Sequence, residues 1–144
     1  MSFTESDLWN SIKTEGLTRI ESGATQTGIS DIEYVLSPWH GWIEMKVAYV
    51  PTRKNKPLRF RHPLQYDQLG WLIKHHRPGF YLRSWVLVGL ASLRASEWRG
   101  FLLVAPPQAV HILEGREKPY EQLIESGAIK LFVTAESVIN WIKE

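Results

Sequence analysis

Apolar and polar residues alternate along two stretches, residues 31–36 and 42–50, and this alternation predicts two β-strands. Successive side chains of a strand point to opposite faces of the sheet, so the apolar set predicts the face that packs on the core. The apolar set consists of Ile32, Tyr34, Leu36, Ile43, Met45 and Val47. The opposite face carries the charged residues Asp31, Glu33, Glu44 and Lys46.

Apolar residues at helical spacing predict four helices, of which Thr4 caps the first and Thr134 caps the last. The predicted helices cover residues 4–16, 63–76, 120–125 and 134–143. Further strands are predicted at residues 17–20, 85–90 and 101–104, and a mobile loop at residues 22–28. The order of these elements indicates an α/β protein with a mixed sheet of about five strands flanked by helices.

No repeat or linker divides the chain, so we expect one domain over residues 1–144. Its core is expected at about 4–104, followed by a helical extension at about 108–144. With 44% hydrophobic and 22% charged residues, the composition is that of an ordinary soluble globular protein. The chain has no apolar run of about 18 residues and no secretory signal, so we expect a cytoplasmic protein without membrane contact. The absence of cysteine excludes disulfides, thiolate metal sites and a cysteine nucleophile.

The net charge of +2 conceals a segregation of charge along the chain. Residues 1–45 contain two basic and seven acidic residues, whereas residues 46–99 contain eleven basic and two acidic ones. A dense basic cluster lies in the middle segment: Arg53, Lys54, Lys56, Arg59, Arg61 and the adjacent His62. The acidic segment favours cation binding, and the basic segment favours contact with a phosphate backbone.

The two alternating strands are predicted to form an antiparallel hairpin through residues 37–40. In that register Asp31 lies opposite Lys46, and Glu33 lies opposite Glu44. Asp31 and Glu44 are then diagonal neighbours at roughly 7–8 Å, near enough to bind one cation together. The alternative is a surface hairpin in which Asp31 and Lys46 form an exposed salt bridge of little stabilising value.

A short motif on these strands resembles the PD-(D/E)xK nuclease superfamily. Residues 28–31, Gly-Ile-Ser-Asp, correspond to the Gly-x-Pro-Asp entry of that family, with Ser30 in the place of its proline. Glu44-Met45-Lys46 corresponds to the family's Glu-x-Lys, at the expected position on the following strand.

Three further features extend the resemblance to Holliday-junction resolvases and VRR-type nucleases. Glu5 lies on a predicted helix before a turn at Gly16, as in the junction-resolving members. Residues 19–23, which begin with Arg19, resemble their Arg-rich Ser-Gly loop. Gln68, with Trp71 three residues later, resembles the Gln-x-x-Trp-Leu helix. The resemblance covers about residues 4–104.

The resemblance implies a restriction-endonuclease-like core with a Mg²⁺ site, for which Mn²⁺ can substitute. Hard oxygen ligands and the absence of cysteine also favour these ions over zinc. The implied metal ligands are Asp31, Glu44, the Met45 carbonyl and Glu5, with Glu33 as an alternative additional ligand. Lys46 would orient or deprotonate the attacking water, and Gln68 would position the phosphate or the water.

The implied contacts with DNA are made by Arg19, Arg53, Lys54, Lys56, Arg59, Arg61 and His62. The function so predicted is that of a metal-dependent DNA endonuclease on branched DNA, acting as a homodimer in a bacterial, archaeal or phage-infected cell. One alternative is a VRR-type or restriction-like nuclease on flapped, linear or single-stranded DNA. Two others are a catalytically silent DNA-binding module of the same fold and a non-nuclease α/β protein.

Overall fold

The computed structural model describes residues 3–20, 30–53, 55–92, 97–113, 118–125 and 129–144. The helices are α1 (Glu5–Ile12), α2 (Tyr66–Lys74), α3 (Tyr120–Glu125) and α4 (Ala135–Lys143), with 3₁₀ turns at Pro78–Phe80 and Pro106–Ile112. The strands are β1 (Leu17–Arg19), β2 (Ile32–Leu36), β3 (Trp39–Tyr49), β4 (Arg59–Phe60), β5 (Leu82–Ala91), β6 (Gly100–Val104) and β7 (Lys130–Phe132). The predicted loop at 22–28 and Lys54 lie outside the described residues.

The strands form one mixed sheet in the order β1-β2-β3-β5-β6-β7, with β4 paired to the end of β3. The long central strands β3 and β5 run parallel, and the other pairs are antiparallel. The predicted α/β class, with helices flanking a mixed sheet, is confirmed. The described residues contribute seven strands to the sheet, where about five were predicted. The additional strands β4 and β7 span only two and three residues, which is too short for a periodic pattern.

Helices cover both faces of the sheet. Helices α1 and α4 pack on one face, where a buried cluster includes Leu8, Tyr34, Ile43, Met45, Val138 and Ile142. Helix α2 and the 3₁₀ turn Pro106–Ile112 pack on the other face, where the cluster includes Ala48, Leu64, Leu72, Val88 and Ile112. The central strands are therefore buried on both sides, and β3 is buried without interruption from Ile43 to Ala48. No helix among the described residues is long and apolar enough to cross a membrane.

The predicted helix caps are confirmed at both ends of the chain. Thr4 and Asp7 form a reciprocal capping box at α1, and the Thr134 hydroxyl accepts a hydrogen bond from the Ser137 amide at 3.1 Å. Helix α2 is shorter than predicted and begins at Tyr66 instead of residue 63. The residues before it follow an extended course, because Leu64 pairs with Leu113 in an isolated β-bridge.

The predicted register of the β2–β3 hairpin is wrong by two residues. Leu36 pairs with Trp39 and Ile32 pairs with Ile43, so the turn contains only two residues instead of four. The strand β3 starts earlier than predicted because its first residues also pair with β5, His40 beside Leu82. A shift of two residues keeps every side chain on its predicted face.

Candidate active site

Asp31 and Glu44 form a close pair of carboxyl groups at the centre of the sheet. Asp31 immediately precedes β2, and the observed register places it beside Glu44 instead of opposite Lys46. Its Oδ2 accepts a hydrogen bond from the Met45 amide at 2.8 Å, which anchors the side chain to β3. Asp31 is half-buried, whereas Glu44 is only 3% exposed. The structure therefore brings these two predicted site residues together more closely than the predicted register did.

Glu44 is a carboxyl group in an environment that disfavours its charge. Burial, followed by the charge and hydrogen bonding of Asp31, raises the pKa of Glu44 from 4.5 to about 9. Asp67 raises this pKa further, and the Lys46 ammonium opposes the increase. Within the described part of the chain, Glu44 Oε1 is buried and has no hydrogen-bond partner. This environment therefore favours the protonated form of Glu44, and a cation bound there would take the place of its proton.

Lys46 points into the same buried space. It is only 4% exposed, and its Nζ lies 3.8 Å from Glu44 Oε2. The Nζ donates a hydrogen bond to Gln68 Oε1 at 3.0 Å and makes a longer contact of 3.5 Å to the Pro63 carbonyl. The surface-hairpin interpretation is wrong, because Lys46 and the neighbouring Glu44 are both buried.

Gln68 joins the lysine to the beginning of α2. Its Oε1 also accepts a hydrogen bond from the Gln65 amide at 3.0 Å, which caps the helix. The side-chain oxygen therefore contacts Lys46 and the helix backbone. The structure thus places Gln68 where it positions Lys46, whereas the sequence predicted a role on the phosphate or the water.

The donor set of the pair fits a hard divalent cation. Two carboxyl groups meet, and among the described residues the buried Glu44 Oε1 has no hydrogen-bond partner. The described residues contain no cluster of three or more His, Asp or Glu side chains that could hold a metal ion. Asp31 and Glu44 are the side chains that could hold an ion directly, and main-chain oxygen, water or a further carboxylate could complete its coordination.

The other two predicted acidic ligands, Glu5 and Glu33, make different contacts. Glu5 Oε2 lies 3.5 Å from Arg61 Nη1, and its buried Oε1 has no hydrogen-bond partner among the described residues. Glu33 is exposed and faces Trp42 across the hairpin, so the predicted pairing of Glu33 with Glu44 is wrong. Glu5 as an additional ligand stays a prediction.

Part of the predicted DNA-contacting set converges on one cavity. Arg53, Lys56 and Arg59 line a cavity of about 450 Å³ beyond the end of β3, together with Tyr49 and neighbouring prolines. The Arg59 guanidinium lies over the Tyr49 ring, 5.5 Å from its centre. We call this the basic cavity.

The remaining predicted DNA contacts lie apart from the basic cavity. His62 is exposed, and Arg61 donates a hydrogen bond to the Phe3 carbonyl at 3.3 Å in addition to pairing with Glu5. Arg19 is exposed and donates a hydrogen bond to the Ser6 hydroxyl at 3.1 Å, beside α1.

A second cavity, of about 520 Å³, was not predicted from the sequence. It lies where β2, the hairpin turn and the start of β3 meet His75 at the end of α2. Its aromatic walls include Trp39 and Trp42, and we call it the aromatic cavity. The only sequence signal was the position of Trp42 on the same strand face as Glu44. The contribution of His75 has no local signal, since it comes from a helix more than thirty residues away.

Comparisons with known proteins identify a similar solved structure. No protein-family model matches the chain, and no curated protein sequence matches it. One similar structure is that of Archaeoglobus fulgidus Hjc, a Holliday junction resolvase from an archaeal hyperthermophile. The chains are 18% identical with a TM-score of 0.48, and the match covers 85% of this chain and 84% of that one. At these values the likeness carries no argument about the function of this chain.

Proposed function

We propose that this protein is a metal-dependent DNA endonuclease that hydrolyses phosphodiester bonds in branched DNA. The observation that carries the proposal is the Asp31–Glu44 pair with Lys46 beside it. Burial and the neighbouring Asp31 charge make a charged Glu44 unfavourable unless a proton or a cation offsets its charge. Burial of an unpartnered Glu44 oxygen in the same place has no evident structural benefit.

In this proposal Asp31 and Glu44 hold Mg²⁺, or Mn²⁺ in its place, with Glu5 as an outer ligand and Met45 supplying its carbonyl. The ion supplies Lewis-acid polarisation of the phosphate and a lowered pKa for water. Lys46 orients the attacking water and offsets the charge that develops on the phosphate. Gln68 holds the Lys46 ammonium in place through the 3.0 Å hydrogen bond.

The charge distribution supports DNA as the substrate. The basic cavity begins where β3 ends, three residues beyond Lys46, or about 10 Å along an extended strand. A DNA backbone that contacts Arg53, Lys56 and Arg59 there can pass the carboxylate pair a short distance away. Contacts of this kind carry no base specificity, as expected for an enzyme that recognises the shape of DNA.

Branched DNA and a homodimer are proposed because of the motif resemblance to junction-resolving nucleases. Symmetric cleavage of two strands requires two active sites related by a two-fold axis, and a homodimer supplies that symmetry.

The test is cleavage by the purified protein, with Mg²⁺, of a four-way junction, a flapped duplex, a linear duplex and single-stranded DNA. We expect paired symmetric nicks on the junction, which Asp31→Asn and Lys46→Ala abolish. Matched controls are Glu121→Gln and Lys118→Ala, at exposed positions on α3 and just before it, which should cleave normally.

The substrates also separate the alternatives. Preferential cleavage of the flap, the linear duplex or the single strand would favour a VRR-type or restriction-like nuclease over a resolvase. Binding without cleavage under Mg²⁺ and Mn²⁺ would overturn the enzyme proposal and leave a DNA-binding module. Cleavage that survives both site substitutions would refute the site assignment.

A further inference from the structure

The aromatic cavity adjoins the carboxylate pair along the same strand. Trp42, in its wall, lies on the same face of β3 as Glu44 and two residues before it, or about 6.6 Å along the strand. Neighbouring nucleotides of an extended, unstacked DNA strand are separated by a similar distance. A nucleotide next to one bound at the pair can therefore reach the cavity.

The aromatic walls of the cavity are held in place from behind. Trp42 packs edge-on against Trp71 with ring centres 4.9 Å apart, and Trp71 stacks on His75 at 3.8 Å. Trp39 is covered by the Arg83 guanidinium, 3.5 Å from its ring centre, and by the edge of Tyr81 at 5.3 Å. A ligand therefore meets rings whose conformations are already restrained, which lowers the entropy lost on binding.

The polar chemistry of the cavity disfavours a phosphate ligand. None of the described residues that line it is Lys or Arg; its lining includes two histidines, His40 and His75, and one acidic side chain, the carboxylate of Glu33. A carboxylate repels phosphate but accepts hydrogen bonds from the amino groups of nucleobases. Aromatic faces stack on nucleobases of any sequence. A volume of about 520 Å³ is ample for a flat heterocycle and lies within the range of small-molecule sites.

We propose that the aromatic cavity binds an unpaired nucleobase from the nucleotide next to the phosphate at Asp31 and Glu44. This rests on the proposed function and narrows its substrate class to DNA with at least one unpaired or unstacked nucleotide beside the cut. The aromatic cavity and the basic cavity lie at opposite ends of β3, so the unpaired base occupies one end and the backbone of the duplex arm occupies the other.

The test measures binding in EDTA, where cleavage is absent, to flapped duplexes in which each nucleotide at the branch is replaced in turn by an abasic residue. We expect one position to lose about tenfold or more in affinity, the range found for base–aromatic stacking. The affinity of Trp42→Leu for intact DNA should fall by a similar factor. Its affinity for the DNA that is abasic at the sensitive position should equal that of the unchanged protein. The retained binding to abasic DNA also shows that the variant is folded.

Two further variants make the test specific to the cavity. His40→Ala removes an exposed residue that lines the cavity. As in Trp42→Leu, the loss of affinity caused by the abasic substitution should be smaller in this variant than in the unchanged protein. Phe80→Ala removes an aromatic side chain that is 77% exposed and does not line the cavity, and it should bind both DNAs as the unchanged protein does.

Three outcomes would overturn the proposal. Binding that is indifferent to abasic residues at every position would refute the base site while leaving the endonuclease proposal intact. Val35 is an exposed apolar residue in the cavity wall. A dimer that dissociates on Val35→Lys, with no abasic effect, would assign the cavity to a second copy of the chain instead. Failure to bind any of these flapped DNAs would overturn the base site, whereas cleavage of the four-way junction decides the proposed function separately.

Discussion

Gln68 on helix α2 accepts a hydrogen bond from Lys46 on strand β3 at 3.0 Å, so the helix holds the lysine that lies beside the carboxylate pair. The same Gln68 oxygen also accepts a hydrogen bond from the Gln65 amide. A single side-chain oxygen therefore couples the beginning of α2 to the centre of the sheet.

Replacement of Gln68 should impair catalysis through Lys46. In Gln68→Ala the buried ammonium loses its short hydrogen bond, and we expect kcat to fall roughly 10- to 100-fold with KM for DNA nearly unchanged. The pH profile of kcat should also shift, and Gln68→Glu, which keeps an acceptor oxygen, should recover part of the rate. Steady-state kinetics with a cleavable branched DNA measure all three effects. A change in KM alone would show that Gln68 contacts the substrate instead.

The raised pKa of Glu44 makes the metal-free protein less stable as the pH rises. Between pH 4.5 and about 9, the folded state retains a proton on Glu44 that the unfolded state has lost. The contribution of this proton to the stability of the folded state is therefore fully present below pH 4.5 and is lost as the pH rises to about 9. We expect the free energy of unfolding to fall by on the order of a few kcal/mol across this pH range.

Glu44→Gln removes the titrating proton and should flatten this dependence. Urea unfolding in EDTA at pH 6 and pH 9 measures it, with Glu121→Gln as the matched control at an exposed site. If the free energy of unfolding changed equally with pH in Glu44→Gln and in the unchanged protein, the raised pKa would not belong to Glu44.

Divalent cations should compete with that proton. Because a carboxylate must lose its proton to bind a metal, the affinity for Mn²⁺ should rise up to about tenfold per pH unit between pH 6 and 8. Titration calorimetry in buffers of different ionisation enthalpy should also detect about one released proton per ion. Asp31→Asn should abolish the binding, and Glu5→Gln should reduce it if Glu5 is an outer ligand. Affinity that is independent of pH would place the ion away from Glu44.

Removal of a basic side chain from the basic cavity should weaken DNA binding uniformly across sequences. For Arg53→Ala and Lys56→Ala we expect the slope of log K against log salt to decrease by about one for each phosphate that the variant no longer neutralises. Fluorescence anisotropy at several salt concentrations measures this slope, with Lys143→Ala as an exposed control on α4. An unchanged slope in both variants would exclude the basic cavity from the phosphate contacts.

The sequence alone predicted which face of each strand the site residues occupy. A period of two in the apolar residues determines the face of Asp31, Glu44 and Lys46, whatever the strands pair with. It also predicted the order of the main elements and the caps at Thr4 and Thr134, since these depend on residues a few positions apart. The resemblance to a nuclease family rested on the same residues.

Only the tertiary structure decided the register of the hairpin and the burial of the site. A shift of two residues preserves the alternation, so the pattern could not distinguish a four-residue turn from the two-residue turn at Ser37 and Pro38. Pairing of the start of β3 with β5 selects the shorter turn and brings Asp31 beside Glu44. Glu44 and Lys46 lie on the face of β3 that α2 reaches through Gln68 and Trp71, and both are buried, whereas a surface hairpin would expose them.

The aromatic cavity depends even more on long-range packing. Trp42 and His75 are in contact because α2 ends beside the start of β3. No local sequence pattern predicts that contact. Alternation and capping arise from interactions between near neighbours in the chain, and so the sequence by itself determined the faces and the elements. The closeness of two carboxyl groups, the pKa of one of them and the shape of a cavity arise from contacts between distant segments, and these only the folded chain decided.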